Sequence, residues 1–346
     1  MPTLPLFPDS GPAPLIGIAR LAAHADPLRE GHHIEYFSLP ARSVLGRVKS
    51  GRRLPFQWAI NPYRGCEFGC KYCYARYTHE FMELRDPLAF EQKIYVKQQA
   101  AWLLRQDLKK VRPNQSIAIG TATDPYQPAE RRYNVTRGIL EELAQHRGLL
   151  LGIITKSDLI LRDAELLRQI SMHNSIHVSL TVTTVNTDLA RILEPRAPRP
   201  DLRLEAVRKL NLAGIPAGVN CAPLLPGITD APSDLSALVL AAKEANATSI
   251  FAGPLFLKPC AAAVFLPFLE KEFPHLVETY RKRYANSAFL PPDYDKRINR
   301  LLAELREKHG MTPPPHPDSR FGERQAVQDS LFCAEGEDAA HLDADH

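Results

Sequence analysis

Short apolar, β-branched runs alternate with amphipathic stretches through the middle of the chain. SIAIG (Ser116–Gly120), LLLGIIT (Leu149–Thr155), SIHVSLTV (Ser175–Val182), IPAGVNCA (Ile215–Ala222) and TSIFA (Thr248–Ala252) are nearly continuous in apolar character. That is the pattern of strands buried on both faces of a parallel sheet. Between them, apolar positions fall at helical spacing over residues 134–146, 163–172, 201–213 and 233–245. Asn134, Asp201 and Ser233 are candidate N-caps, and Gly214 suits the position after a helix end. Repeated βα units require a parallel sheet with right-handed crossovers. With a sixth strand at residues 57–59 or 93–96, the pattern predicts an α/β fold: a partial (β/α)6 TIM-like barrel over residues 55–266. Functional groups should then gather at the C-terminal ends of its strands.

The flanks read differently. Residues 1–54 are rich in Pro and polar residues, with apolar pieces such as Ile34–Phe37, and read as an N-terminal extension packed partly on the body. Residues 267–310 are helical and charged, and residues 311–346 read as a disordered tail ending in acidic residues. With 45% hydrophobic and 24% charged residues, the 346-residue chain has an ordinary globular composition. Its formal charge of +4 is compatible with a polyanionic partner without demanding one. There is no apolar run of about 18 residues, so no membrane span is expected. The N-terminus lacks a basic segment followed by an apolar one, so no secretory signal is expected either and cytoplasmic residence follows. In a reducing compartment, clustered cysteines bind metal or do redox work more often than they form staples.

Half of the six cysteines lie in NPYRGCEFGCKYCYARYTHEF, residues Asn61–Phe81, as Cys66, Cys70 and Cys73. A disulfide in so tight a loop would leave one thiol over. Structural zinc wants four ligands; a fourth could be His79 or a remote cysteine, but the usual second C-x2-C pair is missing. Three thiolates with the spacing C-x3-C-x2-C suit three irons of a [4Fe–4S] cube whose fourth iron stays open to a small molecule.

These residues resemble the radical S-adenosylmethionine (SAM) enzymes, whose hallmark is this spacing with an aromatic, here Tyr72, just before the last cysteine. The resemblance implies that the open iron binds the amino and carboxylate groups of SAM. An electron from the cluster then yields a 5′-deoxyadenosyl radical that abstracts hydrogen from substrate. It also implies an electron donor such as flavodoxin or ferredoxin. Within that superfamily the chain looks closest to the spore photoproduct lyase-like (DNA repair photolyase-like) branch. The matching segments are N-P-Y-x-G-C at Asn61–Cys66, G-T-x-T-D-P-Y-Q-P-x-E at Gly120–Glu130 and T-K-S at Thr155–Ser157. L-E-P-R at Leu193–Arg196 and P-x-x-P-G-x-x-D at Pro223–Asp230 match as well.

By this resemblance Thr123 stands where a serine of the lyase contacts SAM, and Ser179 lies on the strand that carries a second such serine. Lys156, directly after a buried strand, is the natural partner for the SAM carboxylate. The branch implies a DNA lesion or modified nucleotide as substrate. The lyase, however, has a hydrogen-returning cysteine where this chain has Thr121, and a hydroxyl is a far poorer hydrogen-atom donor than a thiol. Cys221, Cys260 and Tyr126 are substitute candidates, although a buried cysteine often serves as a small hydrophobe. Tyr74, Tyr77 and Tyr126 could relay a radical or stack on a base. Arg131, Arg132, Arg196, Arg199, Arg203 and the Arg281–Tyr284 run would favour a phosphate-bearing substrate if they cluster beside the cysteines.

QDSLF, Gln328–Phe332, resembles peptides that dock on the bacterial sliding clamp, and TLPLF, Thr3–Phe7, is a weaker match. Two adjacent apolar anchors on a flexible leash can enter a preformed pocket. The alternative function is therefore an iron–sulfur or zinc protein recruited to DNA through its tail, without turnover.

Overall fold

The computed structural model describes residues 15–31, 33–48 and 56–311. The two clamp-like peptides and the acidic tail lie outside the described residues. Eleven strands occur among the described residues: β1 (Asp26–Gly31), β2 (Ile34–Ser38), β3 (Leu45–Arg47), β4 (Trp58–Ile60), β5 (Tyr63–Arg64), β6 (Lys93–Val96), β7 (Ser116–Ile119), β8 (Leu150–Thr155), β9 (Ser175–Thr181), β10 (Ala217–Leu224) and β11 (Ile250–Pro254). Seven form a sheet in the order β11-β10-β9-β8-β7-β4-β3, and four form a second sheet, β1-β2-β6-β5.

In the large sheet, β4 and β7 to β11 are all parallel, and only the edge strand β3 runs antiparallel. Strand order follows chain order from β4 to β11, as stepwise right-handed βα crossovers require. Helices Val135–Leu143, Ala164–Ser171, Pro200–Leu212 and Pro232–Glu244 make these crossovers. The result is the expected α/β architecture, with six parallel strands curved as a partial barrel. Trp58–Ile60 supplies the sixth strand, while Lys93–Val96 joins the smaller sheet.

Two expected caps move. Pro200 and Pro232 occupy the first helical turn, so Arg199 and Ala231 are the N-caps, and Asp201 and Ser233 fall inside. Proline suits that place because its missing N–H would have no intrahelical partner. Gly214, at φ +77°, closes the Pro200–Leu212 helix as expected, with Ile215 N donating to Leu210 O at 2.9 Å.

The main core joins this sheet to its helices. A second core lies beneath the cysteine loop, where Phe68, Tyr72, Phe90, Leu193, Leu225 and Leu255 meet Phe265 and Tyr280 of the C-terminal helices. The first of those helices, Pro259–Glu272, begins before Pro267 and carries that proline inside it. The N-terminal segment adds β1 and β2 to the smaller sheet, with β2 parallel to β6, so β6 lies between β2 and β5. No helix among the described residues is long and apolar enough to cross a membrane.

Candidate active site

The cysteine loop follows β4 of the large sheet and β5 of the smaller one and is fixed at several points. Cys66 N donates to Phe90 O at 2.9 Å, Lys71 N to Leu193 O at 2.9 Å and Cys73 N to Cys70 O at 3.3 Å. Gly69 sits at φ +63°, and a Cβ there would lie 2.6 Å from Arg196 Nη2 and 2.9 Å from Glu91 Oε2. Glycine is needed for both the conformation and the close approach. Arg76, fully buried, donates to Cys70 O at 3.0 Å and pairs with Glu91 at 2.8 Å.

The G-T-x-T-D-P-Y-Q-P-x-E segment clamps the loop from the end of β7. Thr123 Oγ1 donates to Gly65 O at 2.6 Å and accepts from Gln127 Nε2 at 2.9 Å. Gln127 also donates to Gly65 O at 3.1 Å and accepts from Glu67 N at 3.0 Å. Thr123, expected to touch SAM, thus has its hydroxyl engaged in holding the loop. Asn61 ties β4 to the same segment, accepting from Ala122 N at 2.8 Å and donating to Thr121 Oγ1 at 3.2 Å. Gly120, at φ +91°, has Ile154 O 2.4 Å from where a Cβ would be.

Asp124 joins two strand ends. Its Oδ1 accepts from Thr155 Oγ1 at 2.6 Å, and its Oδ2 accepts from Lys156 N at 2.7 Å. The neighbouring Lys156 side chain lies beside the cysteines, its Nζ 5.7 Å from the Tyr72 ring centroid. Burial works against its charge, but Cys70 and Glu194 outweigh burial and hold its pKa above the ordinary lysine value. No ion pair engages Lys156 among the described residues. Tyr72 donates to Glu194 Oε1, and Glu194 Oε2 pairs with the buried Arg203 at 2.6 Å. Burial opposes ionisation of Glu194, yet Arg203, Lys156 and Tyr72 together hold its carboxyl below the usual range.

Burial, with nearby Asp124 and the other two cysteines, raises the Cys66 thiol pKa well above normal. Burial pushes Cys70 up to about 12. Thiols this reluctant to ionise alone are held close together on one turn, an arrangement that iron ligation relieves by stabilising each thiolate. Among the described residues no three His, Cys, Asp or Glu side chains converge tightly enough to hold a single ion. A cubane asks less convergence, because each thiolate takes its own iron. His79, the possible fourth zinc ligand, instead places Nε2 3.0 Å from Lys93 O and its ring edge-on to Phe90. The donor set therefore fits an iron–sulfur cube.

The radical SAM superfamily model matches residues 60–238, spanning the cysteine loop and the strand ends from β4 through β10. The chain belongs to that superfamily. It is similar to an uncharacterized protein of Mycobacterium tuberculosis, 33% identical over 304 residues, which cover 86% of this chain and 88% of the relative. An uncharacterized protein of Methanocaldococcus jannaschii is 27% identical over 238 residues, 68% of this chain and 83% of that one. Among solved structures, spore photoproduct lyase complexed with dinucleoside spore photoproduct shares the fold, with a TM-score of 0.59, 16% identity and 79% of each chain covered. A double mutant of that lyase with bound AdoMet and the same dinucleoside matches at a TM-score of 0.56 and 16% identity, over 75% of this chain and 76% of that one. Superfamily membership implies a [4Fe–4S] cluster and SAM as cofactors of this radical SAM enzyme.

Of the expected hydrogen donors, two are buried away from the loop and Cys260 lies against the segment that follows Cys73. Cys221 is fully buried in the main core. Strand parity places it with Ala217 and Val219, opposite the half-exposed Asn220 and Ala222. Tyr126 is 1% exposed, its phenol among Asp163, Glu130 and Arg162. Burial removes both from contact with a substrate. Cys260, in the first turn of the Pro259–Glu272 helix, is half-buried near Glu80, Lys258 and Tyr77. Burial and Glu80 push its thiol up to about 11. Ser179 is half-exposed on β9, 3.4 Å from His177 Nδ1.

Most of the arginines that could signal a phosphate are already engaged. Arg203 is bound to Glu194, Arg196 reaches Glu67 O and lies 3.6 Å from Glu91, Arg199 pairs with Asp201 and Arg281 with Glu270. Glu194, Asp124 and Asn61 each sit in a quoted motif, but their partners lie far along the chain and only the fold brings them together.

Proposed function

We propose that this radical SAM enzyme cleaves SAM reductively at a [4Fe–4S] cluster and directs the resulting radical at a nucleic-acid lesion or modified nucleotide. When bound, the cluster and SAM supply an electron and a 5′-deoxyadenosyl radical that takes hydrogen from substrate. Cys66, Cys70 and Cys73 would hold three irons, leaving one for the SAM amino and carboxylate groups. Lys156 would meet that carboxylate, and Tyr72, fixed through its hydroxyl to Glu194, walls the same space. Ser179, on the face of β9 opposite the buried Val178 and Leu180, would be the SAM contact on that strand. The apolar layer of Phe68, Tyr72, Leu225 and Leu255 beneath the loop excludes water from one side.

The observation that carries this reading is the placement of Lys156. It is a cation facing Cys70, beside a carboxylate already neutralised by Arg203, with no ion-pair partner of its own among the described residues. Such a group is poised for an incoming anion.

The substrate class is supported by the shared fold with a lyase that binds a dinucleoside lesion, which is fold-level analogy. Thr121 replaces the thiol at the lyase's hydrogen-return position, so the product radical must be quenched differently here. The test is an anaerobic reaction with dithionite, SAM and DNA carrying deuterated thymine lesions. Deuterium in the released 5′-deoxyadenosine supports the assignment. Unlabelled 5′-deoxyadenosine formed at the same rate with and without the lesion contradicts it.

A further inference from the structure

Beside the cysteine loop, between β3, β4 and β5, lies a cavity of about 130 Å3, several times what one water requires. Its lining includes Asn61, Arg64, Tyr77, Lys97 and Thr121. Arg64 lies on β5, and Lys97 follows β6. The antiparallel register pairs Arg64 with Tyr95 and Tyr63 with Val96, and Lys97 N donates to Pro62 O at 3.3 Å. Two rungs apart on alternating strands, Arg64 and Lys97 share one face.

Among the described residues neither has a carboxylate within ion-pair distance, and no hydrogen bond engages either side chain. Lys97 is 8% exposed, and Arg64 Nε is buried without a partner, as is the Tyr77 hydroxyl. Asp107, the carboxylate that acts on Lys97 from a distance, is itself occupied by Ser43, Val44 N, Leu45 N and Lys110. A buried lysine beside a half-buried arginine, neither paired among the described residues, is costly unless something anionic joins them.

We propose that this cavity binds the phosphate monoester of the substrate, with Arg64, Lys97 and the Tyr77 hydroxyl as its ligands. Two basic groups, both held protonated by a bound dianion, match the −1.5 to −2 of a phosphate monoester near neutral pH better than a carboxylate or a phosphodiester, each carrying one. Arginine adds a fork of donors suited to phosphate oxygens. The location agrees: Thr121 lines the cavity, and the exposed Tyr74 donates to Thr121 O from the residue after Cys73. A substrate anchored here would reach toward the cluster loop. This deepens the proposed function by narrowing the substrate to a modified nucleotide, or a lesion at a phosphorylated end, and it rests on that reading only for the identity of the site as the substrate's.

The experiment is calorimetric titration of the reconstituted holoenzyme with inorganic phosphate, thymidine 5′-monophosphate, acetate and a short oligothymidylate lacking terminal phosphates. Phosphate and the mononucleotide should bind, acetate and the capped oligomer at least tenfold more weakly. Lys97→Gln and Arg64→Gln should each weaken mononucleotide binding by roughly thirtyfold or more, since removing one member of a buried charge pair costs 2 kcal/mol upward. Lys97→Arg should restore most of it, and unchanged melting temperatures would separate lost binding from lost folding. Mononucleotide binding that is absent, unaffected by both Gln variants, or matched by the capped oligomer overturns the assignment. The 5′-deoxyadenosine assay runs on the same preparation. Turnover without anion binding sinks only this inference; anion binding that depends on Lys97, without turnover, sinks only the proposed chemistry.

Discussion

On one side of the cysteine loop Arg203 lies 2.6 Å from Glu194, and Arg76 lies 2.8 Å from Glu91. On the other side Arg64 and Lys97 line a cavity with no carboxylate in reach among the described residues. Both flanks hold positive charge out of bulk water in part, but among the described residues only the first neutralises it within the protein. A paired, buried cation is architecture, and its loss should cost folding. An unpaired one sits at the protein's own expense, and its loss should cost binding. Lys156 belongs with the second kind, although it stands on the first flank, because Glu194 is already held by Arg203.

The comparison can be broken most severely at the loop itself. Cys70→Ala should abolish iron retention and SAM cleavage together, while the circular dichroism spectrum keeps its helical content. Next, Arg203→Met should lower unfolding free energy by about 3–5 kcal/mol, the cost of stranding a buried charge. Denaturant titration reads this directly, and a loss near zero would dissolve the distinction between the flanks. Lys156→Met should leave stability closer to wild type but weaken SAM binding by about tenfold or more, the worth of a hydrogen bond to a charged group. Equilibrium dialysis of the reconstituted protein checks it.

The smallest effect concerns pH. Burial first, and Arg64 second, pull Lys97 from 10.5 down to about 7, with Asp107 opposing. The folded state therefore holds fewer protons than the unfolded chain between these values, and this group's contribution makes stability rise with pH across that window. Stability profiles of wild type and Lys97→Met should diverge between pH 7 and 10.5, the wild type rising more steeply. Parallel profiles would mean that Lys97 has a partner after all.

The parallel strands were readable because buried strands are apolar on both faces, so their runs stand out without alternation. The choice between Trp58–Ile60 and Lys93–Val96 was not readable: both are short and apolar, and only pairing with β7 or β2 separates them. The cysteines announced themselves by spacing. Thr123 was visible as a strand-end residue, but its bond to Gly65 depends on a loop 58 positions earlier. Cys221 went astray through strand parity, one residue deciding between the barrel and the core. Glu194, Arg64 and Lys97 carry meaning only through what does or does not face them, which no local pattern records.

The central claim is that three thiolates hold a cube with one iron free for SAM. Electron paramagnetic resonance of the dithionite-reduced, reconstituted protein tests it most directly. The account predicts a reduced [4Fe–4S] signal whose shape changes when SAM is added, with the change diminished in Lys156→Met. A protein that retains no iron, or whose signal is identical with and without SAM, would contradict it.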